Sequence, residues 1–184
     1  MAMLKGILRT FAVLTLTCFG LLAGDTPRPA PEFSIQLASG KEILLSSYKG
    51  KVVGLEFLLT TCPHCQKTSQ TLNRLHRELG AQGFQPIGVA INEMANMLIG
   101  DFSKQFNLTY PVGYSLRDKA MTFLQHPVMT TMMMPQIVII DRAGSIRHQI
   151  AGNDKLFDND EKNLRDLITP LLKPVTVSKA ANKK

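Results

Sequence analysis

The chain has 184 residues, 45% apolar and 19% charged, which is one domain's worth and enough to bury a core. Its formal charge of +7 is carried by the ends, by Lys5 and Arg9 at the start and by Lys173, Lys179, Lys183 and Lys184 in the closing stretch. The body between is nearly balanced, which excludes the basic, aromatic-laced surface that nucleic-acid binding requires.

Met1 to Arg9 contain no acid, Thr10 to Ala23 are uncharged and largely apolar, and Ala23-Gly24-Asp25 follows. Residues 1–24 thus have the form of a secretory signal peptide, shorter than the ~20 residues of a comfortable membrane span. An uncleaved N-terminal membrane anchor is the alternative. Cys18 reads as an ordinary residue of the apolar run, because Thr15-Leu16-Thr17 before it lacks the arrangement of a lipidation site. Export to the periplasm or cell envelope follows, an oxidising setting in which Cys62 and Cys65 are the cysteines of the mature chain.

Residues 25–31 hold Pro27, Pro29 and Pro31 and read as an extended linker into a domain spanning 32–173. Phe33 to Leu37 and Glu42 to Leu45 flank the turn signal Ala38-Ser39-Gly40-Lys41, which predicts a hairpin. Ser46 to Gly50 form a short turn. Lys51 to Leu59 are nearly all apolar, as in a central strand covered on both faces. The exception is Glu56. A carboxylate there costs several kcal/mol to bury charged, so it is expected to be protonated at neutral pH or solvated by an internal water. Six residues ahead of Cys62, it is placed to lie beneath the cysteines and shuttle the proton of Cys65.

The strand delivers Cys62-Pro63-His64-Cys65 to the start of a helix. Two intervening residues let the sulfurs close a small ring, and the unpaired N–H groups and positive dipole end of a first helical turn favour a thiolate. Cys62, the more N-terminal, is the expected nucleophile and Cys65 the resolving thiol, the pair cycling through a Cys62–Cys65 disulfide. Pro63 suits the first helical position, where it forfeits no internal bond, and His64 offers a group that can be cationic near neutral pH. The bland alternatives are half a zinc site, a structural disulfide or two buried thiols. No second cysteine pair exists to complete four zinc ligands.

Gln66 to Leu79 are expected as a helix with Leu72, Leu75 and Leu79 on one face, Gly80 as its stop and His76 on the surface. Gln85 to Ile91 form the next buried strand, parallel to the first. A helix over Met97 to Phe106, a short strand within Tyr110 to Tyr114 and a short helix at Arg117 to Leu124 follow. Gln136 to Asp141 and Ser145 to Ile150 make an antiparallel hairpin, with Pro135 at its strand start. Leu164, Leu167, Ile168 and Leu171 predict a last helix over Asp160 to Leu172, kinked by Pro170 and stopped by Pro174. Residues 174–184 read as a disordered basic tail.

This order of elements, with Cys62-Pro63-His64-Cys65 at the first helix start and Met134-Pro135 before the closing hairpin, resembles the thioredoxin superfamily. Ala30-Pro31-Glu32-Phe33, Leu45-Ser46, Lys49-Gly50-Lys51-Val52-Val53 and Ile139-Ile140-Asp141-Arg142-Ala143-Gly144 are similar to the exported TlpA/ResA-like thioredoxins. Leu55-Glu56-Phe57 and the cysteine motif look like the active-site segment of the disulfide oxidase DsbA. The resemblance implies an α/β thioredoxin-like fold: a central mixed sheet flanked by helices, with an N-terminal β-hairpin extension. It further implies that Pro135 is a cis-proline facing the dithiol, that the Met134 backbone pairs with an extended substrate, and that no cofactor is needed. A helical insertion of the DsbA kind is missing, and Thr61 stands where thioredoxins commonly have an aromatic residue.

The leading expectation is a thiol–disulfide oxidoreductase acting on protein thiols and disulfides, with a membrane redox partner. Two others compete. An exported copper carrier would use Cys62, Cys65 and the methionines of 129–134, with His126 or His148 nearby; the same methionines also suit an apolar peptide groove. A peroxiredoxin would share the fold, but Leu55 and Leu59 stand where its polar residues belong relative to Cys62.

Overall fold

The structure, a computed structural model, describes residues 26–173. The expected signal segment and tail, with Cys18 and Pro174, lie outside the described residues. The strands are β1 (Arg28–Pro29), β2 (Ser34–Leu37), β3 (Glu42–Leu44), β4 (Val52–Leu58), β5 (Phe84–Ala90), β6 (Val112–Tyr114), β7 (Gln136–Ile140) and β8 (Ser145–Ala151). The helices are α1 (Pro63–Leu79), α2 (Ala95–Gln105), α3 (Arg117–Leu124) and α4 (Asp160–Leu172). The described strands form one mixed sheet in the order β1-β8-β7-β4-β5-β6-β2-β3, with β4, β5 and β6 parallel and β7 antiparallel to β4.

β4 is buried at every position because both faces of the sheet are covered. Val52 and Leu58 pack with Leu72, Leu75 and Leu79 of α1 and with Leu164 and Ile168 of α4. Val53, Leu55 and Phe57 point to the other face, where Phe33, Phe57 and Phe123 meet ring to ring at centroid distances of 5.2 to 5.7 Å. Strand alternation then assigns Glu56 to the α1 face, between Gly88 of β5 and Ile137 of β7 in register. Glycine at 54 on that same face lets the layers approach: a Cβ there would lie 3.0 Å from the Phe84 ring and 3.6 Å from Leu72. Pro86 sits inside β5 without breaking a ladder on both sides, because pairing with β6 begins only at Gly88.

One sequence expectation is corrected. The described part of the segment expected as an extended linker, residues 26–31, joins the sheet, since Arg28 and Pro29 pair with Ile146 and Ser145 at its edge as β1. Helix α1 begins at Pro63, capped by Cys62, as the placing of Pro63 at the first helical position implied. It ends at Leu79 with Gly80 as its C-cap, as expected, but Gly80 stays right-handed (φ −58°) and leads into a 3-10 turn over Gly80–Gln82; the left-handed residue that ends the run is Gly83 (φ 102°). α4 spans Asp160–Leu172 as expected, running through Pro170 because a proline in the last turn forfeits only one internal bond. Lys173 then turns extended, as the residue before a proline prefers.

Candidate active site

Because β4, β5 and β6 are parallel, the loops at their C-terminal ends share one end of the sheet, and the segment entering antiparallel β7 arrives there too. Cys62 leaves β4 at that end. The loop carrying it is fastened from both sides. Asn92, just beyond β5, accepts the Thr60 N–H at 3.0 Å and donates to Thr60 Oγ1 at 3.2 Å, and Gln66 of α1 donates to the Thr60 carbonyl at 3.0 Å.

Cys62 is the N-cap of α1 with Pro63 directly inside the helix, and its half-exposed Sγ accepts the Cys65 N–H at 3.4 Å. Cys65 is fully buried beneath it. Both are free thiols in the structure. Burial pushes the Cys65 thiol up, as do its contact with Cys62 and the charge of Glu56, while a hydrogen bond from the Leu59 backbone works the other way. One accessible sulfur at a helix start and one shielded sulfur a turn later give unequal roles: the first can attack, and the second stays protonated until called on.

Glu56 lies on the α1 face of β4 with no exposure. Ser69 Oγ donates to its Oε2 at 2.7 Å, and its Oε1 is buried without a partner. Burial raises its pKa from 4.5 to about 8; the Ser69 bond opposes this and the neighbouring Cys62 charge adds to it. Tyr110 completes the buried group by donating to the Ser69 carbonyl at 3.1 Å.

The Met134–Pro135 peptide is cis, as the resemblance implied. Pro135 is buried and directly precedes Gln136, which pairs with Phe57, so it stands beside the exit of β4 toward Cys62. Met134 is half-buried and packs against the core clusters on both faces of the sheet. Its loop is held from behind: the Met133 carbonyl accepts Gly152 N–H at 3.1 Å and the Gln136 amide at 2.6 Å. Gly152 fits so closely that a Cβ there would lie 2.2 Å from the Met134 carbonyl oxygen.

His64 is half-buried, its ring edge-on to Phe157 at a centroid distance of 4.6 Å and 77°. Sequence reasoning missed Phe157, Asn92, Gln66, Ser69, Tyr110 and Gly152. Only the polar Asn92 closing a buried strand gave a local signal; the others reach the site through tertiary packing. His76 is not a free surface residue, because its Nδ1 meets Thr109 Oγ1 at 2.9 Å and its ring packs edge-on to Tyr110. The methionines of 129–134 are divided: Met132 is in the core, whereas Met129 is 96% exposed. Among the described residues, no group of three or more His, Cys, Asp or Glu is placed to hold a metal ion. A cleft of about 480 Å³ between Pro31–Ser34 and α3 is lined by Phe33, Asp118 and Phe123 and includes neither cysteine.

The AhpC/TSA family model matches residues 27–149. The chain is 28% identical over 123 residues to the thiol-disulfide oxidoreductase ResA of Geobacillus kaustophilus, covering 67% of each protein. It is 29% identical over 125 residues to ResA of Bacillus thuringiensis, covering 68% of this chain and 69% of that one. In structure it is similar to a thiol:disulfide interchange protein of the thioredoxin family from Chlorobium tepidum, with a TM-score of 0.65 and 23% identity over 81% of this chain and 99% of that one. The fold is thioredoxin-like.

Proposed function

We propose that this chain, which belongs to the AhpC/TSA family, is an exported thiol–disulfide oxidoreductase that exchanges disulfides with other polypeptides through Cys62 and Cys65. The observation that carries the reading is the half-exposed Cys62 Sγ at the N-cap of α1 with Cys65 buried one turn below it. The ResA relatives support it. In the reducing direction, the Cys62 thiolate attacks one sulfur of a substrate disulfide, the other sulfur leaves as a thiolate, and a mixed disulfide forms. Cys65 then gives up its proton and attacks Cys62, releasing the second substrate thiolate and leaving the Cys62–Cys65 disulfide. In the oxidising direction the same steps run backward.

Glu56 is the group that takes or returns the Cys65 proton. Its carboxyl is held protonated partly by the charge of Cys62. Once Cys62 is bonded to substrate that charge is gone, so Glu56 ionises more readily at the moment Cys65 needs a base. His64, steadied by Phe157, flanks the nucleophile, and the cis-Pro135 loop presents the Met134 backbone to the substrate chain. A membrane partner resets the dithiol. A peroxidase reading finds no support around Cys62, because Leu55 is fully buried and Leu59 is apolar where polar helpers would be needed.

The test is the equilibrium reduction potential of the metal-free mature protein in glutathione buffers, with Cys62→Ser as the blank. A value near about −120 mV makes the protein an oxidase of incoming chains, and one near about −270 mV a reductant fed by a membrane donor. If no intramolecular disulfide forms at any poise, the proposal is wrong. Peroxide consumption without dithiol cycling would likewise overturn it.

A further inference from the structure

The two carboxyl oxygens of Glu56 sit in unlike settings. Ser69 Oγ donates to Oε2 at 2.7 Å, both residues being fully buried, whereas Oε1 is buried with no partner among the described residues. Ser69 lies one turn beyond Cys65 in α1, so one face of the helix carries both the resolving sulfur and the hydroxyl that holds the carboxyl. Thr68, the residue before it, is buried as completely, and its Oγ1 has no partner among the described residues. Of two adjacent buried hydroxyls, only that of Ser69 is spent on Glu56.

α1 is pinned at this point by the loop between α2 and β6. Tyr110 Oη donates to the Ser69 carbonyl at 3.1 Å. One turn on, Asn73 donates to the Asn107 carbonyl at 2.9 Å, and its Oδ1 accepts the Thr109 N–H and Thr109 Oγ1, each at 2.9 Å. Four bonds thus hold the stretch 69–73 against the loop 107–110, and the aim of the Ser69 hydroxyl is set by that clamp. The titratable groups that face Glu56 are Cys62 and Cys65 at the start of α1, and Tyr110. β5 and β7 flank it with Gly88 and Ile137, and α4 brings Leu164 and Ile168 to the same face. Asp160 of α4 meets Thr71 and Lys67, each about half a turn round α1 from Ser69. His76 and Arg77 reach the loop at Thr109 and Asn107.

We infer that Ser69 is a positioning residue for the proton transfer: by donating to Oε2 it keeps the Glu56 proton on Oε1, the oxygen free to exchange it with Cys65, and it steadies the carboxylate once that proton has left. This rests on the exchange reading above, with Glu56 as the base. While Oε2 accepts the Ser69 hydrogen, the carboxyl proton has Oε1 to occupy. When Cys62 is bonded to substrate and Glu56 ionises, the Ser69 bond becomes charge-assisted and strengthens, which favours the basic form. Cys65 then passes its proton to Oε1, its sulfur bonds to Cys62, and the bond between Cys62 and the substrate breaks with the substrate sulfur leaving as a thiolate.

The test is the two-step reaction of the reduced mature protein with dithiobis(nitrobenzoate), in which attack by Cys62 releases one nitrothiobenzoate and attack by Cys65 releases the second. The rate of the second release is followed against pH by stopped flow. Ser69→Ala is expected to move the Glu56 inflection up by about one pH unit and to slow that release about tenfold below the inflection, with the first release changed by less than about twofold. Ser69→Thr, which keeps a hydroxyl, is expected to restore the parent profile, and Thr68→Ala to leave it unmoved. In infrared spectra at low pH, the C=O stretch of the protonated carboxyl, identified by its loss in Glu56→Gln, is expected to rise in wavenumber in Ser69→Ala, because the oxygen freed of its bond is the carbonyl one. A stretch unmoved by Ser69→Ala puts the proton on Oε2 and overturns the inference. An unmoved pH profile, or equal shifts from Ser69→Ala and Thr68→Ala, overturns it too. Release of a single equivalent by the parent overturns the exchange reading itself, and two equivalents with no Glu56 inflection in the parent overturn Glu56 as the base, which are different results.

Discussion

At the scale of single residues, the chemistry concentrates on a carboxyl that sequence position made conspicuous and the fold made acidic only at high pH. Glu56 binds its proton up to about pH 8 when folded but only to about its ordinary 4.5 when unfolded. Between those values the native state holds the extra proton, so stability must fall as pH rises through that window, by on the order of 5 kcal/mol. Glu56→Gln keeps the size and the Ser69 partner and removes the ionisation. It is expected to match the parent near pH 4.5, to exceed it by several kcal/mol near pH 8 in urea unfolding, and to lose the Glu56 inflection in the rate of Cys65 attack on a trapped mixed disulfide, which lies below about 8 in the parent because the Cys62 charge is gone. Equal stabilities at both pH values would refute the burial argument. The two cysteines, Pro63, His64 and Glu56 were legible because they fall within one run of ten residues, 56–65. Phe157 and Gly152 were not, since each lies some ninety residues away along the chain and touches the site only through packing.

At the scale of elements, the joint that aims α1 is its contact with α4. Asp160 opens α4 while 6% exposed, accepting Thr71 Oγ1 of α1 at 3.1 Å and the Glu161 N–H at 3.0 Å. Lys67 reaches it at 3.5 Å, but that lysine is 60% exposed and the pair is correspondingly screened. Further along, Arg74 pairs with Glu161, and Arg165 with Glu161 and Glu78. Asp160→Ala should therefore cost about 2 kcal/mol in denaturant unfolding, from a buried charged acceptor at a helix start, whereas Lys67→Ala should cost less than about 0.5 kcal/mol. Reversal of that order would show the ion pair to matter more than the buried bond. Helical spacing revealed α3 and α4 to their observed ends, because their apolar faces repeat regularly. It placed the end of α1 at Leu79 as well, but a glycine's presence did not reveal that Gly80 stays right-handed and that Gly83 takes the left-handed turn.

At the scale of the whole molecule, the end opposite the cysteines is gathered by one side chain. Arg142, in the turn between β7 and β8, donates to the carbonyls of Gly50 at 2.9 Å, Gln82 at 2.8 Å and Leu172 at 3.0 Å. It thereby ties the start of β4, the turn after α1 and the last turn of α4 to the sheet. Arg142→Leu is expected to cost about 3 kcal/mol, less than three independent charged bonds would sum to because they share one group, and to speed amide exchange in the last turn of α4. A stability change under about 0.5 kcal/mol would show the three segments to be held by packing alone. The sequence by itself determined the alternation of strands and helices, the buried central strand and the cysteine pair at a helix start, since these depend on periodicity and on neighbours a few residues apart. Only the tertiary structure decided that Arg28–Pro29 docks as an edge strand, that Ser69 and Tyr110 close around Glu56, and that Asn92 and Gln66 fasten the loop before Cys62. Those outcomes depend on strand order and register, which set distances between residues far apart in the chain and leave no periodic trace within it.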